Sequence, residues 1–515
     1  MSSSPHLPAD VQTLQEWVRA RDLIIEQLKS EIFRLRRWQY GQSSEQLAAI
    51  DQLQLALDDL GPAPKVSPAA PASVPATVTA EPNKQAKVVP LRRAPRALPS
   101  HLPRRTIVHS TGHCDCPACG GVLRQMGEDV SEQLHFVPGY FEVIRHVRPK
   151  LSCRACSTIV QALAPLRPIA RGMATAGLLA QVLIAKYADH CPLYRQSQIY
   201  HRSGVELDRA TLAAWVAESA KLLAPLAAAI GRYVMRAEKV HADDTPVPVL
   251  EPGRGKTRAA RVWTYVRDDR PSGGSDPPAV WYQYSPDRKS ERPQRHLRNF
   301  SGILQADAYS GFAPLYQKGR IVEAACWAHA RRKFFDLFKR HRSPVTEEAI
   351  RRIGEFYAIE KQIRGKPPEE RLRVRVAETL PRLEALHEWL TATLRQTSGK
   401  SALGKAIKYT LVRWDAMTLF TRDGRAEIDN NTAEREIRSV VMGRRNYLFQ
   451  GSDHGGDNAA IIYSLINTAK LNGVEPYAYM KAVLERIADH PINHIEELLP
   501  WQLNLNPAES QSLAA

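Results

Sequence analysis

Residues 239–250 read KVHADDTPVPVL, and residues 302–311 read GILQADAYSG. Each is a short, largely apolar run of strand type with an acid on it or at its end. Two similar runs lie between them, ARVWTYV at 260–266 and AVWYQY at 279–284. Three antiparallel strands, a helix and a further acid-bearing strand give the expected order of a mixed α+β sheet domain. The turn between the first two strands holds Gly253-Arg254-Gly255-Lys256-Thr257. It imitates the end of a phosphate loop, but the first glycine of G-x-x-x-x-G-K-[ST] would fall on Leu250, and the segment joins strands rather than opening a helix. It reads as a hairpin turn.

Carboxylates on apolar strands are costly unless something compensates them. Asp243 and Asp307 occupy such positions. A third acid, Glu434, follows in IDNNTAER (428–435), where an Asp/Asn run reads as a helix cap and Glu434 falls in the first turns. Acids gathered at strand ends suit a hard divalent ion, which takes oxygen ligands from one or two carboxylates and substrate phosphate. Adjacent strand residues point to opposite faces, so only one of Asp243 and Asp244 can serve such a site. Hydrophobic parity does not decide between them.

The 515 residues carry 71 Lys and Arg against 54 Asp and Glu, a net charge of +17. That surplus favours a polyanionic partner, a nucleic acid or an anionic membrane. No apolar run approaches the ~18 residues of a membrane span, so no membrane is expected as partner. Five of the seven cysteines fall between Cys114 and Cys156, too few overall for a disulfide framework. Cys116-x-x-Cys119-Gly-Gly and Cys153-x-x-Cys156 form two knuckles that supply four thiolates, enough to close a tetrahedral structural zinc site. The 33 residues between Cys119 and Cys153 exceed the usual ribbon spacing, and His113 and Cys114 are spare donors.

These signals divide the chain. Residues 1–60 carry heptad positions Val11, Leu14, Val18, Arg21, Ile25, Leu28, Ile32 and Leu35, fit for a coiled coil or for a lone amphipathic helix. Residues 61–105 are a Pro/Ala-rich linker turning basic. Residues 106–168 form the zinc-binding module. Residues 169–232 are helical, with Tyr194–Ile199, a turn at His201–Gly204 and a helix from Arg209 to Leu223 in helix-turn-helix outline. Arg195, Arg202 and Arg209 are its candidate DNA contacts. Residues 233–334 and 415–475 form the sheet domain, 335–414 a helical insertion, and 476–515 a C-terminal domain. Cys326 and His329 form a C-x-x-H pair, too few donors for a metal site alone, and are expected to brace the sheet–helix junction. Arg331, Arg332 and Lys333 follow as candidate phosphate contacts. Trp414 reads as either a base-stacking residue or a core tryptophan.

The segments ADDTPVPVL, LQADAYSGF, CWAHARRKFF and the run from IDNNTAEREIRSVV to GVEPYAYM resemble the DDE transposases of insertion-sequence family sixty-six. The zipper-like N-terminus and the paired knuckles are similar to that family's other domains. The resemblance implies a ribonuclease H-like catalytic core that cleaves insertion-sequence ends and joins the 3′-OH to target DNA. It implies Asp243, Asp307 and Glu434 as catalytic acids, with two Mg2+ ions, or Mn2+, as cofactors and Zn2+ as a structural ion. The family usually shows Asp-Glu-Thr-Pro at the first acid, where this chain has Asp243-Asp244-Thr245-Pro246. Element ends and target DNA, a second copy of the chain in a homo-oligomer, and small accessory proteins of the same element are the implied partners. The expected location is the cytoplasm, at a bacterial nucleoid. A nuclease of the same fold without strand transfer, or a transposon-derived DNA-binding regulator, would share many of these features.

Overall fold

The computed structural model describes residues 98–505 apart from 111–114, 117, 138 and 252. The heptad segment, the linker up to residue 97, His113, Cys114 and residues 506–515 lie outside the described residues. The described chain is a mixed α/β structure with two sheets.

The first sheet contains β1 (Arg104–Val108), β2 (Leu123–Val137), β3 (Tyr140–Cys153) and β4 (Ile159–Gln161). Its order is β1-β3-β2, with β4 against the end of β3. β2 and β3 are a long antiparallel hairpin turning at Gly139, which has φ +104°. Leu134, Phe141 and Val143 alternate onto the face that packs against the helices.

Three helices follow: α1 (Ala176–Tyr187), α2 (Leu193–Arg202) and α3 (Arg209–Met235). Thr175 caps α1 by accepting from the Leu178 amide. The turn between α2 and α3 uses Gly204 at φ +76°. The sequence reading ends the third helix at Leu223, yet it runs twelve residues further, past Pro225. Its Ala- and Leu-rich continuation buries Leu226, Ile230 and Val234, and that packing outweighs the one amide that proline removes. Among the described residues α3 is the one helix long and apolar enough to cross a membrane, and half of that apolar stretch is buried inside the protein.

The second sheet is built from β5 (Lys239–Leu250), β6 (Thr257–Arg267), β7 (Ala279–Ser285), β8 (Gly302–Ala306) and β9 (Ile321–Ala324), in the order β7-β6-β5-β8-β9. β7, β6 and β5 run antiparallel, whereas β5, β8 and β9 are parallel. α4 (Glu291–His296) lies between β7 and β8, and α5 (Ala313–Tyr316) between β8 and β9. β9 was not foreseen: Ile-Val-Glu-Ala is too short to show a period.

Five helices come next: α6 (Trp327–His341), α7 (Pro344–Ile363), α8 (Pro368–Val374), α9 (Leu380–Arg395) and α10 (Ala402–Val412), then the short α11 (Trp414–Thr418). The stretch 335–414 contains no strand. A buried ion network ties it to the sheet. Arg371 of α8 pairs with Glu427 at 3.0 Å, Glu427 with Lys239 of β5 at 3.3 Å, and Arg375 with Glu360 of α7 at 2.7 Å.

The chain closes with α12 (Asn431–Tyr447), α13 (Asp453–Leu471) and α14 (Pro476–Arg486). α13 covers the free edge of β7. Ser464 Oγ accepts from the Tyr282 amide, Thr468 Oγ1 accepts from the Val280 amide and donates to the Val280 carbonyl, and Asn472 Nδ2 donates to the Pro278 carbonyl. Positions 464, 468 and 472 share one helix face, so a single polar stripe satisfies backbone groups that would otherwise stand open.

Candidate active site and metal centres

The strand register sorts the acids. Ala242 of β5 is paired with Ala306, the last residue of β8, so Asp243 and Asp307 each follow one member of that pair, Asp243 within β5 and Asp307 just past the end of β8; neighbouring strands lie about 4.8 Å apart. Asp243 shares a sheet face with His241 and Thr264. Asp244 points the other way. Its side chain is 1% exposed and pairs with Arg288 at 2.7 Å and Arg261 at 3.2 Å. Arg288 is itself fixed by stacking its guanidinium 4.1 Å from the Tyr309 ring centroid. The geometry thus separates the two acids that sequence parity left equivalent.

Asn430 brings the third acid to this face. Its amide Nδ2 donates to the Ala242 carbonyl at 2.8 Å, and its Oδ1 lies 3.1 Å from His241 Nδ1. Asn430 also donates its backbone N–H to Cys326 Sγ at 3.2 Å. The start of α12 is therefore pinned to β5 immediately before Asp243. Glu434 stands four residues later, on the same helix side.

The acids feel one another. Burial pushes the Asp243 carboxyl well above the ordinary carboxylate range, and the charges of Asp307, Asp244 and Glu434 push it further. Asp307 and Glu434 are each 24% exposed, so the cluster opens to solvent on that side. Glu434 Oε1 and His329 Nδ1 are buried atoms without a hydrogen-bond partner, 3.6 Å apart. A crowd of carboxylate oxygens with an orphaned one among them fits a divalent, oxygen-seeking ion.

The structure gives the C-x-x-H pair a third neighbour. Ligand atoms of Cys326, His329 and Glu434 lie within 4.8 Å of one another. Arg332 reaches Glu434 Oε2 at 3.5 Å. Arg331 lies over Phe335 and Lys333 over Tyr409. Trp414 is half-buried and packs against Trp327 and His387, with centroids 5.9 and 4.7 Å away. Arg195, Arg202 and Arg209 are exposed on α2 and at the start of α3. Asn430 and Arg288 were missed in the sequence. Asn430 looked like a capping residue, and Arg288 sits in an unremarkable loop.

The four knuckle cysteines also come together. Their sulfur atoms lie within 4.8 Å of one another, with Cys116–Cys156 at 3.3 Å and Cys119–Cys153 at 3.5 Å. Four sulfurs at ~2.3 Å from one ion would be roughly 3.8 Å apart, whereas a disulfide needs ~2.05 Å. The register Leu123↔Cys153 explains the long spacing, because the β2–β3 hairpin carries the chain out and returns it beside the first knuckle. The knuckles share one backbone pattern. Cys116 O accepts from Gly120 N and Cys116 N donates to Gly121 O, while Cys153 O accepts from Ser157 N and Cys153 N donates to Thr158 O. Gly120 and Ser157 hold the matching left-handed positions, at φ +70° and +59°.

A two-sheet α/β protein with a four-cysteine centre of zinc-site geometry and an acid cluster on its larger sheet is thereby defined. Four family models match the chain in order. They are Transposase C of IS166 homeodomain at residues 27–107, the zinc-finger binding domain of transposase IS66 at 113–157, the Transposase IS66 family at 171–458 and the IS66 C-terminal element at 464–501. The chain belongs to the Transposase IS66 family. It is 40% identical over 507 residues to the uncharacterized protein y4hP of Sinorhizobium fredii (strain NBRC 101917 / NGR234), covering 95% of this chain and 90% of that protein. It is 39% identical over 508 residues to y4jD of the same strain, covering 96% of each. The zinc-finger match and the four-cysteine cluster together support a structural Zn2+.

Proposed function

We propose that this protein is a DNA transposase whose larger sheet, α12 and α13 form a ribonuclease H-like core. In this reading Asp243, Asp307 and Glu434 carry metal-dependent cleavage at insertion-sequence ends and transfer of the freed 3′-OH into target DNA. The observation that carries the reading is the joint placement of these acids by the Ala242↔Ala306 register and by Asn430, which ties α12 to β5. Family membership supports an enzyme acting on DNA.

The three carboxylates would hold two Mg2+ or Mn2+ ions. When bound, such ions sharpen the attacking oxygen and neutralise charge on the leaving oxygen. The chain's own residues do the rest. Asp243 presents its carboxylate from β5 and Asp307 from the end of the adjacent β8. Asn430 fixes the helix that brings Glu434. Arg332, with His329 beside it, orients the Glu434 carboxylate. Arg288 and Arg261 neutralise Asp244, so that its charge adds less to the cluster, and Arg288 also reaches Asp307 at 3.9 Å.

In this reading the zinc module and residues 169–232 hold the element ends. The segment 335–414 is a helical insertion within the core. Residues 1–60 pair copies of the chain, and residues 476–515 close the fold as a separate C-terminal domain. Small accessory proteins of the element would join the assembly, which would work at the nucleoid.

A strand-transfer assay tests the proposal. Full-length protein, a pre-cut element end with a free 3′-OH, a target plasmid and Mg2+ should yield joined product. Cleavage of uncut ends without any joining would leave a nuclease instead.

A further inference from the structure

A cleft of about 470 Å³ lies on the side of the sheet away from Asp243. Arg232 and Arg236 line it from the last turn of α3 and the residue beyond, Arg295 and Arg298 from α4 and the loop after it, and Trp281 of β7 and His296 complete the wall. Trp281 is paired with Tyr265 and Tyr265 with Ala242, so its side chain shares the face of Ala242 and Asp244, opposite to Asp243. A Cβ on Gly231 would meet the Trp281 ring at 2.6 Å. The α3 backbone therefore rests directly on the indole.

The charges here are unspent. Among the described residues Arg236, Arg295 and Arg298 have no carboxylate within ion-pair distance, and Arg232 has only the half-exposed Glu496 at 3.4 Å. Four guanidiniums around one cleft with a single half-exposed carboxylate in ion-pair range favour an anionic occupant.

A second, independent observation points the same way. His296 is 7% exposed, and its Nδ1 lies 3.0 Å from the Tyr265 hydroxyl. Its Nε2 is buried and has no hydrogen-bond partner. Burial, and then the nearby Arg295 and Arg292, push the ring's pKa down to about 3, so the imidazole is neutral. In the neutral tautomer that accepts the Tyr265 hydroxyl proton at Nδ1, the ring proton is on Nε2, a donor with no acceptor in the protein. A phosphate oxygen would supply one. Guanidiniums on two walls and an aromatic between them match a run of phosphates with sugars or bases alongside rather than one small anion.

We propose that this cleft binds the phosphodiester backbone of a DNA segment other than the one lying at Asp243. The sheet separates the two positions, so the strand being cut cannot occupy both at the same point. This rests on the transposase reading only in taking DNA as the partner.

Binding measured without added divalent ion tests it independently of cleavage. The full-length protein and the triple variant Arg236→Gln, Arg295→Gln, Arg298→Gln are titrated with element-end duplex carrying long flanks, across a series of salt concentrations. The slope of log affinity against log salt should become shallower by about 2–3 in the variant, at ~0.9 per phosphate contact. On a short duplex covering only the cut site, parent and variant should give the same slope. A triple variant in which all three are lysine should keep most of the parental slope. The side chains are exposed, so thermal melting should be unchanged; if it is not, the single variants Arg236→Gln and Arg298→Gln should each lower the slope by about 1. An unchanged slope on the long duplex would overturn the proposal and leave the cleft to an acidic protein. An equal loss on the short duplex would overturn it too, by assigning the cleft to the DNA at the cut site.

Discussion

Asp243 and Asp244 are consecutive residues of β5 with opposite surroundings. Asp243 faces the side where Asn430 anchors α12, whereas Asp244 lies against Arg288 and Arg261 on the other side. Two substitutions of the same kind should therefore fail in different ways. Asp243→Asn, Asp307→Asn and Glu434→Gln should each abolish DNA cleavage while leaving binding to element ends nearly intact. Several kcal/mol of charge stabilisation at 1.36 kcal/mol per tenfold puts the loss on the order of 10³-fold or more. Asp244→Asn should keep cleavage per folded molecule within about tenfold but cost roughly 1–3 kcal/mol of stability, since it leaves Arg261 without its carboxylate and Arg288 with only Asp307 at 3.9 Å. Cleavage rates and urea melts of the four variants measure both effects. The reverse ranking of Asp243 and Asp244 would move the site by one residue.

The repulsion among the acids has a stability consequence of its own. Burial, and then Asp307, Asp244 and Glu434, hold the Asp243 carboxyl well above its ordinary range. The folded state thus binds that proton more tightly than the unfolded one. The associated stability is present at low pH and lost as pH rises from ~3.9 through the folded value. Without divalent ions, Asp243→Asn should melt higher than the parent at pH 7, and the gap should close toward pH 4. Asp243 Oδ1 accepts from the Asp244 amide at 2.8 Å, and the carboxamide oxygen of the variant can accept from the same N–H, so no hydrogen bond need be lost. Added Mg2+ should raise the melting temperature of the parent more than that of the variant. A variant that melts lower at pH 7 would mean the acids are not in mutual conflict.

How far this site was legible depended on how local its causes are. Asp243, Asp307 and the strands bearing them follow from short apolar runs that end in acids, which a linear reading can see. Strand parity left Asp243 and Asp244 equivalent and only the family resemblance favoured Asp243; the different surroundings of the two acids depend on Arg288 and Arg261, 44 and 17 positions from Asp244 in sequence. The role of Asn430 needed the packing of α12 on β5, a contact spanning almost 190 residues. The knuckles were plain in sequence, but their long spacing became intelligible only once β2 and β3 proved to be the two arms of one hairpin. β9 and the extension of α3 were missed because tertiary packing, not local period, makes them.

The twin knuckles predict one Zn2+ per chain and unequal tolerance of their turn residues. Metal analysis of purified, reduced protein should find one zinc, and Cys116→Ser or Cys153→Ser should lose it and unfold the module locally. Gly120→Ala should cost about 1 kcal/mol through its left-handed backbone. Gly121→Ala should be worse, because its Cβ would meet Cys153 Sγ at 3.1 Å. Ser157→Gly should be neutral or slightly stabilising, as Ser157 already occupies φ +59°. Equal zinc retention in all three turn variants, with equal melting, would remove the argument from backbone geometry.

The polar stripe of α13 should matter out of proportion to its size. Thr468→Val keeps the shape but removes the acceptor for the Val280 amide, leaving a buried N–H open at a cost of about 1–3 kcal/mol. Thr468→Ser keeps the hydroxyl and should lose less. Ser464→Ala should resemble Thr468→Val, since the Tyr282 amide depends on it. Hydrogen exchange at Val280 and Tyr282 reports the effect directly. Unchanged protection of both amides in the variants would show that water or another group substitutes for the stripe.

Glu427 carries the most exacting stability prediction, because it joins the 335–414 segment to the sheet. Burial alone would raise its carboxyl, yet Lys239 and then Arg371 hold it down at about 2. Lys239 on β5 is buried at 3.3 Å from Glu427, and Arg371 on α8 makes two bonds to it at 3.0 and 3.1 Å. Glu427→Gln leaves both cations facing a neutral amide in a site closed to water, which should cost roughly 3–5 kcal/mol. A depressed folded pKa contributes stability that is present above the unfolded value of ~4.3 and lost as pH falls toward about 2. The parent should therefore lose stability across that window, and Glu427→Gln should lose distinctly less because it has no proton to take up there. Urea melts at pH 7, 4.5 and 3 would measure both the offset and the slope. Parallel stability curves for parent and variant through acid would mean that Glu427 does not hold its charge in the folded protein, and the network would then have to be rebuilt around Glu360 alone.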